Sequence, residues 1–268
     1  MTTTSEKKDI ISRLQKDILQ WEGFVPPEAG AAKGVGLGPV EAAFPNGVFP
    51  AGAVHEFVCP AAGHSAATAG FITGVLGALM QNGGACLWAG IGLTIFPPGL
   101  AAFGIEPDRV IFVDLKREKD VLWVAEEALR CGGLAAVIAE VRGLDFAQSR
   151  RLQLAVERSR VTGFILRNDP KKLTATACTA RWKVTPISSE LEDDMPGVGF
   201  PRWNVELLKV RNGNPGVWQL EWHDGRFNAV DAPVGAGRPQ EIPADEYGEM
   251  ERLPVAEGML KESLRRTG

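Results

Sequence analysis

No C-x-x-C pair occurs in the chain, and its four cysteines (Cys59, Cys86, Cys131 and Cys178) lie far apart. Only His55, His64 and His223 accompany them, so neither a zinc ligand set nor a disulfide framework has a pattern to rest on. Three of the cysteines sit in apolar surroundings, which predicts reduced, buried thiols. No basic leader followed by an apolar run opens the sequence, which predicts a cytoplasmic protein. From Phe57 to Ile105 there is no Asp, Glu, Lys or Arg. A membrane-spanning helix needs roughly 20 consecutive apolar residues. Here Gly63, the run Gln81-Asn82-Gly83-Gly84 and Pro97-Pro98 cut the stretch into pieces of strand and short-helix length, so it reads as buried core.

What is present is ordinary globular material: 268 residues, 45% hydrophobic and 23% charged, enough to fill one large core. The formal net charge of −4 hides an uneven spread. Residues 1–141 carry 10 basic against 15 acidic side chains, residues 142–183 carry 10 against 3, and residues 184–268 carry 9 against 15. A basic segment inside an acidic chain is a candidate surface for an anionic partner.

Along the chain, Ile10, Ile11, Leu14, Ile18 and Trp21 form one stripe at helical spacing, with Thr3 and Glu6 placed for a capping box. This predicts an amphipathic helix over residues 1–22, which either packs on its own domain or docks on a partner. Gly, Pro and Ala dominate the following stretch, giving a linker over 23–37. Short apolar runs then alternate with helical patterns: strands at Ala53–Val58, Ala85–Ala89, Val110–Val113, Ala135–Ala139 and Gly163–Leu166, and helices at Ser65–Met80, Gly99–Phe103, Lys119–Arg130 and Phe146–Ser159, the last capped by Asp145. That alternation means βαβ units and a largely parallel sheet covered on both faces. Thr179–Val184, Trp203–Arg211 and Val217–Trp222 alternate in the strand period, and the turn Asn212-Gly213-Asn214-Pro215-Gly216 makes the last two an antiparallel edge hairpin. The core domain is read as 38–226, followed over 227–268 by a poorly ordered acidic tail rich in Pro and Gly.

A strand, a Gly-containing loop and a small-residue helix stand where a phosphate-binding loop would sit. Such a loop cradles phosphates with backbone N–H groups, reaches the terminal phosphate with a Lys and ligates magnesium with a Ser or Thr hydroxyl. Here Cys59-Pro60-Ala61-Ala62-Gly63-His64-Ser65 keeps Gly63 and Ser65, loses the first Gly and puts His64 in the place of Lys. The next strand runs into Gly90-Ile91-Gly92 without the carboxylate that positions water, and the magnesium-supporting acid survives only as Glu140. The reading is a degenerate ATPase with no bound cofactor, a structural vestige; nucleotide binding without turnover at Gly63, His64, Ser65 and Glu140 is the alternative.

Several stretches together carry a resemblance. Gly47-Val48-Phe49-Pro50-Ala51-Gly52, Phe103-Gly104-Ile105-Glu106-Pro107-Asp108-Arg109 and Glu127-Ala128-Leu129-Arg130-Cys131-Gly132-Gly133 fall in the order of a RecA recombinase core. Within that superfamily the chain most resembles the ImuA family, through Phe96-Pro97-Pro98-Gly99-Leu100, Arg117-Glu118-Lys119-Asp120 with Trp123, Ser149-Arg150-Arg151-Leu152-Gln153-Leu154, Ala180-Arg181-Trp182-Lys183-Val184 and Pro201-Arg202-Trp203-Asn204-Val205-Glu206-Leu207-Leu208. The resemblance covers roughly Gly38 to Trp222 and implies a RecA-like P-loop α/β core: a central, mostly parallel sheet, helices on both faces and an antiparallel C-terminal edge hairpin. It also implies a role in DNA repair, as an accessory protein of SOS-type, DNA-damage-induced translesion synthesis and mutagenesis. The implied partners are DNA, an ImuB-like inactive Y-family polymerase and an error-prone replicative-type polymerase, with self-association possible in this superfamily. A SulA-type cell-division inhibitor, acting by protein contact, is the alternative reading.

The basic segment favours the first. Arg142, Arg150, Arg151, Arg158 and Arg160 lie on or near one helix, and Arg167, Lys171, Lys172, Arg181 and Lys183 follow. Phosphate binding needs several such cations together. Leu152, Leu154, Ala155 and Val161 supply the buried side, and only Asp145 and Glu157 on that helix are there to pair locally, so the arginines are expected to face outward toward DNA. An acidic protein partner and simple solvation are the competing readings. Trp182, Trp203, Trp218 and Trp222 are expected in the core rather than stacked on bases.

Overall fold

Strand and helix follow the hydrophobic periods closely. The computed structural model describes residues 34–230 apart from 82, 94, 169, 171–172 and 191–198, so the expected N-terminal helix, most of the linker and most of the tail lie outside the described residues. In chain order the elements are β1 (Val54–Cys59), α1 (Ala62–Leu79), β2 (Ala85–Gly90), a 3-10 segment (Pro97–Phe103), β3 (Val110–Asp114), α2 (Glu118–Leu129), β4 (Leu134–Val141), α3 (Phe146–Ser159), β5 (Thr162–Asn168), β6 (Ala180–Ile187), β7 (Arg202–Val210), β8 (Gly216–His223) and β9 (Arg226–Ala229). The strands form one sheet in the order β3-β2-β4-β5-β1-β6-β7-β8-β9. Pairing is parallel from β3 to β6 and antiparallel from β6 to β9.

Alternation along each strand builds two cores. Phe57, Ile138, Phe164, Leu166, Trp182 and Trp203 face α1 on one side. Val54, Val137, Ala139 and Ile165 face α2 and α3 on the other. Burial of such large side chains contributes ~1.5–3 kcal/mol each. Phe57 and Trp182 stack with ring centroids 5.8 Å apart and planes 5° off parallel. Helix α1 is rich in small residues because it must approach this aromatic layer closely. A Cβ on Gly74 would lie 2.6 Å from Phe227 and 2.9 Å from Trp222. Helix α3 has the expected bounds and a complete capping box between Asp145 and Gln148.

Three boundaries differ from expectation. The core starts before 38, because Val35 and Leu37 are buried in the α1-side cluster. It also runs past 226: Asp224 and Gly225, both at positive φ, turn the chain into β9, and Phe227 packs on Trp222. Helix α1 begins at Ala62 rather than Ser65. Trp182, Trp203 and Trp222 are buried and Trp218 packs against the same cluster, so the hairpin extends the sheet instead of covering it. Among the described residues no helix is long and apolar enough to cross a membrane.

Candidate functional site

Helix α1 starts only two residues after β1, and that shortness decides what the loop can do. Three residues separate Cys59 from Gly63, where a phosphate-binding loop has four. Gly63, His64 and Ser65 therefore lie in the first turn of α1. The amide N–H groups of His64 and Ser65 donate to Ala61 O at 3.0 and 3.3 Å, so they turn into the helix instead of converging on a phosphate.

The two surviving magnesium-site residues are brought together, but by an amide side chain. Ser65 Oγ donates to Asn168 Oδ1 at 2.7 Å, and Asn168 Nδ2 donates to Glu140 Oε2 at 3.1 Å. Glu140 Oε1 accepts the indole N–H of the fully buried Trp88 at 2.7 Å. The chain Ser65–Asn168–Glu140–Trp88 is thus a satisfied network in which neutral donors hold the carboxylate. It forms one wall of a cleft of about 550 Å³ whose other walls are largely apolar, with Ile91 and Phe96 exposed at its lip and Arg142 at its rim. At the end of β2 the Gly92 N–H donates to Asp114 Oδ1 at 2.8 Å, which ties that loop to β3. Behind the loop, burial pushes the Cys59 thiol up to about 11, so it is no nucleophile at neutral pH.

Among the described residues the predicted basic strip does not form one surface. Helix α3 spans 14 residues, about 20 Å, and sets Arg142 and Arg160 at opposite ends of the sheet. Arg150, Arg158 and Arg160 are exposed, as is Arg142. Arg151 is tied to Glu126 of α2. Arg181 pairs with the fully buried Glu56 at 2.8 Å, and Lys183 pairs with Glu206 at 3.3 Å. Lys171 and Lys172 lie outside the described residues. Leu154, expected on the buried side, is 46% exposed.

Glu56 itself went unpredicted. It accepts from Arg167 at 2.8 Å, Arg181 at 2.8 Å and Thr176 at 2.6 Å, all beneath the loop before β6. A lone Glu in the apolar strand Val-His-Glu-Phe-Val-Cys is the signal, since a buried carboxylate demands cations nearby. Asn168, closing the apolar strand β5 opposite Cys59, is the corresponding signal for the cleft network.

No family model matches the chain. It is similar to the protein ImuA of Caulobacter vibrioides, in strain NA1000 / CB15N and in strain ATCC 19089 / CIP 103742 / CB 15, at 35% identity over 196 residues, covering 68% of this chain and 80% of each relative. Among solved structures, the crystal structure of the RadB recombinase superposes with a TM-score of 0.51 at 13% identity, covering 74% of this chain and 99% of that one. That likeness gives the RecA-like fold, and the identity and coverage of the curated relatives give the rest: the chain belongs to the ImuA family.

Proposed function

We propose that this chain is a non-hydrolysing RecA-like accessory protein of DNA-damage-induced translesion synthesis, acting by binding DNA and error-prone polymerase partners. The observation that carries the loss of hydrolysis is the Ser65–Asn168–Glu140–Trp88 network. Phosphoryl transfer requires cations on the phosphates and a carboxylate on the water. His64 stands in the place of the Lys, the loop amides are turned inward, and Gly90-Ile91-Gly92 offers no acid.

Contact with DNA phosphates is assigned to Arg142, Arg150, Arg158 and Arg160, the exposed members of the strip that have no ion pair among the described residues. Arg151, Arg181 and Lys183 spend their charge on Glu126, Glu56 and Glu206 and leave the assignment. Arginines without base-reading geometry bind electrostatically, with little sequence preference and steep salt dependence. The test is single-stranded DNA binding across a salt series. The double variant Arg142→Glu/Arg150→Glu should bind at least about tenfold more weakly and flatten the salt slope by about two units. Equal affinity and equal slope in wild type and variant would refute the DNA assignment.

A further inference from the structure

An open sheet ends in two edge strands whose outer N–H and C=O groups can pair with another chain, and natural proteins shield them with short length, bulges, prolines or lysines. Here the edges are β9 and β3. β9 is only four residues long, which limits what can pair with it. β3 reads Val-Ile-Phe-Val-Asp, with no proline or lysine, and pairs regularly with β2 along its whole length. Its Ile111 is 48% exposed, because α2 packs over β4 and β2.

One bond shows which backbone groups of β3 face outward. The Leu115 N–H donates to Gly90 O at 2.8 Å, so in this parallel pair the odd-numbered residues turn their N–H and C=O groups toward β2. Val110, Phe112 and Asp114 turn theirs to the open edge. The Val110 N–H is taken by Pro107 O. The Val110 carbonyl and both backbone groups of Phe112 and Asp114 have no partner among the described residues.

We infer that β3 pairs with β3 of a second copy, antiparallel about a two-fold axis through Phe112, so that one sheet runs through both molecules. The strand's own pattern selects this occupant and this register. A two-fold axis normal to the sheet sets opposite each other residues that lie on the same face. Centred on Phe112, it matches all five residues of β3 with residues of the other copy's β3. Phe112 then exchanges both its bonds with its twin, and each Asp114 N–H meets the free Val110 carbonyl of the other copy. Ile111 lies against Val113 across the join, which covers its exposed side chain with a β-branched neighbour. Beyond the strand, the exposed Asp108 and Lys116 stand four residues either side of the axis, so each acid comes opposite a lysine of the other copy. Neither has an ion-pair partner among the described residues. Sliding the pairing by two residues either way sets Asp108 opposite an acid instead, Asp114 or Glu118. Arg109 donates to Met80 O and Gly84 O, both at 2.8 Å, and brings no free charge to the join.

Sedimentation velocity of the full chain from about 1 μM to about 500 μM tests the join, a range suited to the weak affinity of a small interface. Wild type should pass from monomer to dimer and stop there, because a two-fold contact uses up both edges. Ile111→Lys should raise the dissociation constant at least about tenfold, since it sets a charge against Val113 of the other copy. Asp108→Lys alone and Lys116→Asp alone should each weaken the dimer, and the two together should restore it, because the swap rebuilds both ion pairs in reverse. Circular dichroism confirms that the variants are folded; each changes an exposed side chain. Wild type that stays monomeric throughout overturns the inference, and so does a dimer that Ile111→Lys leaves as tight. Oligomers that keep growing with concentration also overturn it, since they mean a head-to-tail contact. A double swap that is no tighter than the single changes overturns the register on Phe112. No DNA enters the measurement, so its outcome is separate from that of the DNA assignment.

Discussion

His55 makes the stability of this protein depend on pH in a calculable way. The imidazole is fully buried, stacked on Phe49 at 4.4 Å. Its Nε2 lies 3.0 Å from Pro50 O, and its Nδ1 accepts the Trp182 indole N–H at 3.3 Å. Both contacts suit the neutral ring with the proton on Nε2. Burial lowers its pKa from the ordinary 6.5 to about 4. The unfolded chain therefore takes up a proton that the folded chain refuses. Stability from this residue is complete above the unfolded value, declines as pH falls through the interval between the two, and levels off below about 4. The full loss is about 3 kcal/mol, of which about 2 kcal/mol falls between about pH 7 and about pH 5. Urea unfolding followed by tryptophan fluorescence at a series of pH values measures it. His55→Gln keeps a donor and an acceptor but cannot titrate. It should be less stable than wild type at neutral pH and show a flatter decline on acidification, while carboxylate contributions cancel in the comparison. Parallel declines would refute the reasoning.

Other substitutions address the cleft and the cores. His64→Lys should show no DNA-stimulated phosphate release from ATP, because the water-positioning acid is still missing and Ser65 is held by Asn168; recombinase-like turnover would overturn the account of the site. Glu56→Ala should cost about 3–5 kcal/mol in denaturant titrations, because it removes the buried carboxylate that pairs with Arg167 and Arg181; a loss below about 1 kcal/mol would mean the pairing is dispensable. Gly74→Val should cost about 1–3 kcal/mol through overpacking against Phe227 and Trp222, read as a lowered urea midpoint and altered near-UV dichroism. In the native protein only Cys131 among the four cysteines should react promptly with a thiol reagent, because the other three are buried.

The fold was legible because its signals are local. A capping residue and an apolar stripe define α3, and Asp145 with Phe146–Ser159 appears as read. The turn at Asp224-Gly225 was equally local, yet β9 was missed: four residues after a hairpin strand carry too little periodicity to be seen. The strip of cations shows where local reading stops. On their own helix the arginines have only Asp145 and Glu157 as local partners. The acids that engage them, Glu126 for Arg151 and Glu56 for Arg181, come from other elements and are joined only by the tertiary fold. The cleft was half legible: the loss of Lys and acid is written in the sequence, whereas the Asn168 bridge arises from β5 lying beside β1.

That bridge has a consequence for timing. A nucleotide site gives a protein a clock, since binding sets one state, hydrolysis ends it, and the interval between them limits how long a complex lasts. Asn168 occupies the gap between Ser65 and Glu140, and under the proposed loss of hydrolysis the protein would have no such interval. On that reading its complexes would end by plain dissociation, at a rate fixed by the contacts themselves. How long it stays at a lesion would then be governed by how much of the protein and its partners the cell makes, and by when it stops making them.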